Sequence, residues 1–255
     1  MIRFIYNLLW PLGLLFFLPG YLVKMFRRGG YRDKFGQRFG NYDAHLRARL
    51  YWKKSIWLHA VSVGEVRIAL KLARQIRLLK SDVHCVLTTT TTTGFAFANQ
   101  NAPDWIEVMY SPLDFWPIMR CAFATIRPKA IVLVEAEVWP NLVAEAHGRK
   151  IPIALVNARL SPRSEKRFRM FRSFVVPTFH MLDAICVQNF EDIERWKTLG
   201  VEMDRIHNVG SIKYDPENAE VDPGLPATIL AGFGLEKRTV IFGGSTHSGE
   251  EKVLA

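Results

Sequence analysis

Ser62-Val63-Gly64-Glu65 joins an apolar run, Ser55-Ile56-Trp57-Leu58-His59-Ala60, to a helical pattern from Glu65 to Leu79. A Ser at the N-cap with a Glu three positions on is a capping box, in which the two side chains satisfy backbone N–H groups at the helix start. The same carboxylate follows a strand and lies beside a Gly that lets a ligand approach the backbone. It is therefore also placed to act as a general base, its proton affinity set between desolvation and the helix N-terminus. Spacing alone leaves both readings open. His59, at the strand end, either orients a substrate or pairs with backbone.

Glu135-Ala136-Glu137-Val138-Trp139-Pro140-Asn141 follows a second apolar run, Ala130–Val134. Carboxylates two residues apart do not share a helical face, but in a turn at a strand end both reach one cleft. The alternative is a pair of solvated loop acids. No His or third acid stands nearby in sequence, so no metal site is expected here. Asn157-Ala158-Arg159-Leu160-Ser161-Pro162-Arg163-Ser164 also follows a strand-like run. Its two guanidinium groups could clamp a carboxylate or phosphate, or the stretch is a helix-entry loop capped by Ser161 or Ser164.

A fourth stretch, Gly243-Gly244-Ser245-Thr246-His247-Ser248-Gly249-Glu250-Glu251, is a Gly-rich turn of the kind that offers backbone N–H groups to phosphate. It lacks the Gly-Lys-Ser/Thr ending of a P-loop. Ser248 and Glu251 form a second capping box. The six threonines Thr88–Thr93 finish a strand and cap the next helix, with no catalytic role expected.

The elements that must position these residues alternate. Strand-like runs at Ile56–Ala60, Val83–Thr88, Ile106–Tyr110, Ala130–Val134, Ile153–Val156 and Ala184–Val187 are separated by helical patterns at Glu65–Leu79, Gly94–Asn101, Phe115–Ile126, Trp139–His147, Ser164–Thr178 and Phe190–Leu199. Strands alternating with crossover helices predict a parallel sheet covered on both faces, and the continuous apolar character of most strands agrees. After Val209-Gly210, residues 211–226 have linker composition, with Pro216, Pro223, Gly224 and Pro226 among several acids. A new strand, Thr239-Val240-Ile241-Phe242, then begins. One strand and part of a helix cannot bury a sheet, so a second domain cut short is expected.

The chain of 255 residues carries a net charge of +10, of which residues 1–54 hold +9. That location argues against a nucleic-acid-binding face on the globular part. Phe4 to Val23 contains no charge over twenty residues. As a helix it would reach roughly 30 Å, one hydrocarbon core. Pro11, Pro19 and two glycines keep open the alternative of a helix lying in the interface. Lys24, Arg27, Arg28, Arg32, Lys34 and Arg38 follow it, which predicts a cytoplasmic body held against anionic headgroups. Cys85, Cys121 and Cys186 are scattered, and Cys85 and Cys186 read as small core residues in a reducing compartment.

The N-terminal apolar segment with its basic collar, His59–Glu65, Glu135–Asn141 with Asn157–Ser164, and Gly243–Glu251 together resemble the bacterial 3-deoxy-D-manno-octulosonic acid (Kdo) transferases. The resemblance runs the length of the chain. It implies an α/β, GT-B type glycosyltransferase: two Rossmann-like domains facing across a cleft, the first binding the lipid A precursor and the second CMP-Kdo. Residues 1–26 would then be a membrane anchor, 27–54 a basic connector, 55–210 the acceptor domain, 211–226 the hinge and 227–255 the start of the donor domain. Glu65 would be the general base. Ser62, Gly64, Glu135, Glu137, Asn157 and Arg159 would hold the acceptor or support the base. Lys213, Ser245, Thr246, Glu250 and Glu251 would meet the donor. No cofactor or metal is implied, and the protein would work at the cytoplasmic face of the inner membrane.

Two other functions fit the same features: a membrane-associated hexosyltransferase using a UDP-sugar, and a membrane-anchored binding module in which Glu65 only caps a helix. On the family reading, residues 1–255 alone would be inactive, because half of the cleft would be missing.

Overall fold

The computed structural model describes residues 2–28, 34–214 and 224–234. The chain divides into two compact units, Met1–Asp215 and Pro216–Ala255.

In the first unit an N-terminal helix α1 (Ile2–Arg28) and a short α2 (Ala44–Tyr51) precede an alternating series. It runs β1 (Ile56–His59), α3 (Val63–Leu79), β2 (Cys85–Thr89), α4 (Thr92–Asn101), β3 (Ile106–Tyr110), α5 (Trp116–Ile126), β4 (Ala130–Val134), α6 (Pro140–Gly148), β5 (Ile153–Ala158), α7 (Pro162–Met170), α8 (Arg172–Phe179), β6 (Ala184–Val187), α9 (Phe190–Thr198) and β7 (Ile206–Asn208). The described part of the second unit contains one helix, α10 (Leu225–Gly232), with Pro226 in its first turn.

The seven strands form one parallel sheet in the order β3-β2-β1-β4-β5-β6-β7. The chain winds outward from β1 to β3, returns to the middle through α5, and winds the other way from β4 to β7. Alternation along each strand sends side chains to two cores. Leu58, Leu87, Val108 and Val134 pack with α3 and α4 through Val66, Leu70 and Ala98. Trp57, Leu133, Leu155 and Val187 pack on the other face with Phe123, Leu142, Phe179 and Trp196, which come from α5, α6, α8 and α9. Parallel crossovers are right-handed, so reversing the winding direction moves the helices to the opposite face.

The predicted parallel α/β sheet is present, with three differences in detail. The helix expected over 164–178 is two, broken at Phe171, whose backbone leaves the helical region. A seventh strand, β7, was not expected from its three residues, of which only Ile206 is buried. Residues 211–214, assigned to a linker, pack with the first unit: Ile212 joins the α3 core and its carbonyl accepts from Lys71 Nζ at 3.0 Å.

Helix α1 runs unbroken through Pro11 and Pro19. Its first turns are bonded to the domain. Tyr6 Oη donates to Asp114 Oδ2 at 3.0 Å, Asn7 Nδ2 donates to Asn141 Oδ1 at 2.8 Å, and Arg3 Nε donates to the same oxygen at 3.2 Å. Trp10 stacks on Phe115 with ring centroids 5.2 Å apart. Among the described residues no helix is long and apolar enough to cross a membrane. The turns of α1 that carry Arg3, Tyr6 and Asn7 thus hold polar groups of the body. Phe4, Leu8, Leu12, Leu15 and Phe16 remain exposed along it.

Candidate active site at the switch point of the sheet

Strands β1 and β4 are neighbours, with His59 opposite Leu133, yet the chain leaves them toward opposite faces. The divergence opens a crevice at their carboxyl ends, the position where open α/β sheets bind ligands. Both acidic stretches lie there: Glu65 in the turn after β1, and Glu135 and Glu137 in the turn after β4.

Glu65 is in the first turn of α3 and is buried. Ser62 Oγ accepts its N–H at 3.3 Å and donates to its Oε1 at 2.7 Å, while Oε2 accepts the Val61 N–H at 2.8 Å. The Ser62 half of the capping box is thus formed, while the Glu65 carboxylate turns back to the Val61 N–H and the Ser62 hydroxyl rather than to the Ser62 N–H and is fixed by these two donors. The turn is itself held from behind. The Val61 carbonyl accepts from Thr89 Oγ1 at 3.2 Å and from Thr91 Oγ1 at 3.0 Å. Thr91 also caps α4 by accepting the Gly94 N–H at 3.0 Å. The threonine run finishes a strand and caps a helix as expected, and in addition it braces the loop that carries Glu65. No spacing rule announces that brace, because it forms between strands.

Glu137 lies across the crevice. Its Oε2 accepts Trp139 Nε1–H at 2.9 Å. Burial pushes its carboxyl above the usual range. The Trp139 bond opposes that shift, and the negative charges of Glu65 and Glu135 add to it. The Trp139 ring meets His59 edge-on, with centroids 4.5 Å apart. His59 is fully buried, its Nδ1 3.0 Å from Thr88 Oγ1, and burial pushes it down to about 3. At neutral pH it is uncharged, and it ties β1 to β2 and to the loop after β4. Its partner is a side chain rather than the backbone expected.

Glu135, just after β4, and Asn157, the last residue but one of the adjacent β5, are in left-handed backbone, at φ 63° and 52°. The Glu135 N–H donates to the Val156 carbonyl at 3.0 Å, and its Oε1 accepts from Lys213 Nζ at 2.7 Å. Lys213, expected at the donor, is therefore paired within this unit. Asn157 is fully buried; its Oδ1 accepts from Ser211 Oγ at 3.3 Å and the Ile212 N–H at 3.2 Å. Its side-chain oxygen holds the segment that carries Lys213. Arg159 and Arg163 are exposed, and neither guanidinium has a partner among the described residues. The capping alternative also holds there, since Ser161 accepts the Ser164 N–H at 3.1 Å. Gly64 is exposed, and a Cβ on it would meet only Ser62 Oγ, at 3.8 Å. The predicted donor residues Ser245, Thr246, Glu250 and Glu251 lie outside the described residues.

Asp114, absent from the sequence reading, organises one wall. It is buried and accepts the Asn141 and Leu142 N–H groups at the start of α6 at 3.0 and 2.9 Å, along with Tyr6 Oη. Burial raises its carboxyl to about 6 against these bonds. Among the described residues no three of His, Cys, Asp or Glu are grouped as a cation cage.

Glu65, Glu135 and Glu137 thus follow the two strands at which the winding of the sheet reverses, with Arg159 and Arg163 exposed after the next strand, β5. Residues 33–216 match the family model described as 3-deoxy-D-manno-octulosonic-acid transferase (kdotransferase). This chain belongs to the Kdo transferase family. Relatives include the 3-deoxy-D-manno-octulosonic acid transferase of Haemophilus influenzae, 30% identical over 88% of this chain and 52% of its own length. That of Bordetella pertussis is 32% identical over 89% of this chain and 53% of its own. A probable mitochondrial 3-deoxy-D-manno-octulosonic acid transferase of Arabidopsis thaliana is 31% identical over 78% and 45%. The chain spans about half the length of the relatives it matches. Its family membership fits the α/β architecture, and the crevice lies within the matched residues.

Proposed function

We propose that the full-length protein transfers Kdo from CMP-Kdo to a lipid A precursor in lipopolysaccharide biosynthesis, and that Met1–Asp215 supplies the acceptor side of a GT-B cleft. The observation that carries this reading is the meeting of Glu65 and Glu137 at the switch point of the sheet, inside the segment that matches the family. Glu65 is the general base. It takes the proton of an acceptor hydroxyl on the glucosamine disaccharide as that oxygen bonds to the anomeric carbon of Kdo. The bond from that carbon to CMP breaks, CMP leaves with the electron pair, and the configuration inverts. A positioned base contributes roughly 10²–10⁴-fold to such a step. Arg159 and Arg163 are free to meet the phosphates of acceptor or donor. Lys213, Ser245, Thr246, Glu250 and Glu251 belong to the donor side on the family resemblance alone.

Helix α1 lies along the cytoplasmic surface of the inner membrane rather than through it, with Phe4, Leu8, Leu12, Leu15 and Phe16 toward lipid. A second assignment of the base has its own support. Burial raises the Glu137 carboxyl, which makes it a stronger proton acceptor than a solvated carboxylate, while Glu65 is occupied by the Val61 N–H and Ser62 hydroxyl.

The test is transfer by full-length protein in membranes supplied with CMP-Kdo or UDP-sugars and a lipid A precursor. Incorporation from CMP-Kdo is expected; incorporation only from a UDP-sugar would replace this reading with a hexosyltransferase. Comparing Glu65→Gln with Glu137→Gln then assigns the base to whichever change lowers kcat by at least about 10²-fold with KM held.

A further inference from the structure

Beside the crevice lies a cavity of about 390 Å³, within the size range of ligand pockets. Helices α1, α6, α7 and α8 and the loop after β4, all of the first unit, build it. Tyr6 and Leu9 come from α1, Ala136 and Val138 from the loop after β4, and Phe174 and Phe179 lead an apolar wall from α8. Arg3 is the charged residue of the lining, and it is already bonded to Asn141 and 3.7 Å from Glu145. The Tyr6 hydroxyl is likewise taken by Asp114. The lining therefore offers little to a polar or anionic guest and a large apolar surface to a hydrocarbon one.

We propose that this cavity binds one acyl chain of the lipid acceptor. The inference rests on the lipid-acceptor reading above and assigns a subsite to it. Two observations select the occupant. Ala136 and Val138, the residues on either side of Glu137, line the cavity, so a guest seated there lies next to the loop that carries a candidate site carboxylate. Another wall is α1, which also carries the exposed apolar residues Phe4, Leu8, Leu12, Leu15 and Phe16. One helix thus presents apolar surface to the outside and to the cavity, which is the geometry needed to pass a chain from a lipid surface into the protein without exposing it to water. CMP-Kdo, a charged sugar nucleotide, has no such part.

The experiment uses the full-length protein and an acylated glucosamine disaccharide phosphate carrying a diazirine at the end of one acyl chain, irradiated and mapped by mass spectrometry. Adducts are expected in residues 168–181 and 136–144. Ala144→Phe, which fills the cavity from α6, is expected to reduce those adducts at least about tenfold and to raise KM for the acylated acceptor by a similar factor. Its kcat/KM for a deacylated acceptor should stay within about twofold of wild type. Val175→Trp fills the same space from α8 and gives an independent variant should Ala144→Phe not fold. Adducts confined to the outer flank of α1, or equal losses on both acceptors by a folded variant, would overturn the proposal. Labelling requires no turnover, so it decides the subsite even if CMP-Kdo proves not to be the donor; absence of transfer by wild type to either acceptor would count against the catalytic reading instead.

Discussion

Ser62 caps the helix of Glu65 and holds its carboxylate: a single hydroxyl accepts the Glu65 N–H at 3.3 Å and donates to Glu65 Oε1 at 2.7 Å. The cap and the candidate base share the same hydrogen bonds, so the two readings of this stretch are one arrangement. Glu65→Gln in the full-length protein should change stability by at most about 1 kcal/mol, the scale of a lost cap. Transfer should fall at least about 10²-fold. Ser62→Ala should cost a similar amount of stability but reduce transfer less, because the Val61 N–H still holds Oε2. Thermal melts and steady-state rates on the same preparations separate the two effects, and wild-type activity in Glu65→Gln would remove Glu65 as the base.

The charges across the crevice are coupled. Glu65 is one of the groups that push the Glu137 carboxyl up. Removing that charge in Glu65→Gln should move Glu137 back toward the ordinary carboxylate range, read by carbon NMR of the labelled side chain across pH. An unchanged titration would mean that the two groups do not sense one another.

Asp114 makes stability pH-dependent with a definite sign. Its carboxyl is raised to about 6 in the folded protein, above its ordinary value. The folded state therefore binds more protons than the unfolded state between about 4 and about 6. Its contribution is fully present below that window and is lost as pH rises through it. Urea unfolding from pH 4 to 7 should show this loss in wild type and a flatter profile in Asp114→Asn. Tyr6→Phe removes one bond to the carboxylate and should loosen α1, seen as faster amide exchange in residues 3–10.

Two glycines near the site should respond oppositely to Ala. At Gly94 a Cβ would stand 2.6 Å from Thr89 Oγ1 and 2.8 Å from Thr91 Oγ1, in the brace behind the Glu65 loop. Gly94→Ala should destabilise by about 1–3 kcal/mol, the range for overpacking. At Gly64 there is room, and Ala should stabilise α3 by up to about 1 kcal/mol. If the acceptor approaches this backbone, KM for the acceptor rises all the same. Unchanged kinetics in Gly64→Ala would show that no ligand comes close there.

What the sequence made legible was periodic or local. The sheet could be read because buried strands are apolar runs and their helices repeat between them. The Ser62–Glu65 box could be read because both partners lie within one turn. The latch of Tyr6, Asp114 and Asn141 joins residues far apart in sequence, each unremarkable in its own surroundings, and only the winding of the chain brings them together. β7 escaped notice because three residues on a sheet edge carry almost no pattern. The apolar N-terminal run was legible as a helix, but its resting place depended on polar partners more than a hundred residues away. The family resemblance assigns Asn157 to the acceptor or to support of the base; that its buried side-chain oxygen holds Ser211 and Ile212 could not be read from its surroundings in sequence.

Glu135 and Asn157 stand at the ends of neighbouring strands, both in a backbone conformation that favours glycine. Glycine at either position would relieve the left-handed backbone. It would also unhook Lys213 and release the segment that Asn157 holds. At these two positions backbone ease and the anchoring of residues 211–213 therefore pull in opposite directions.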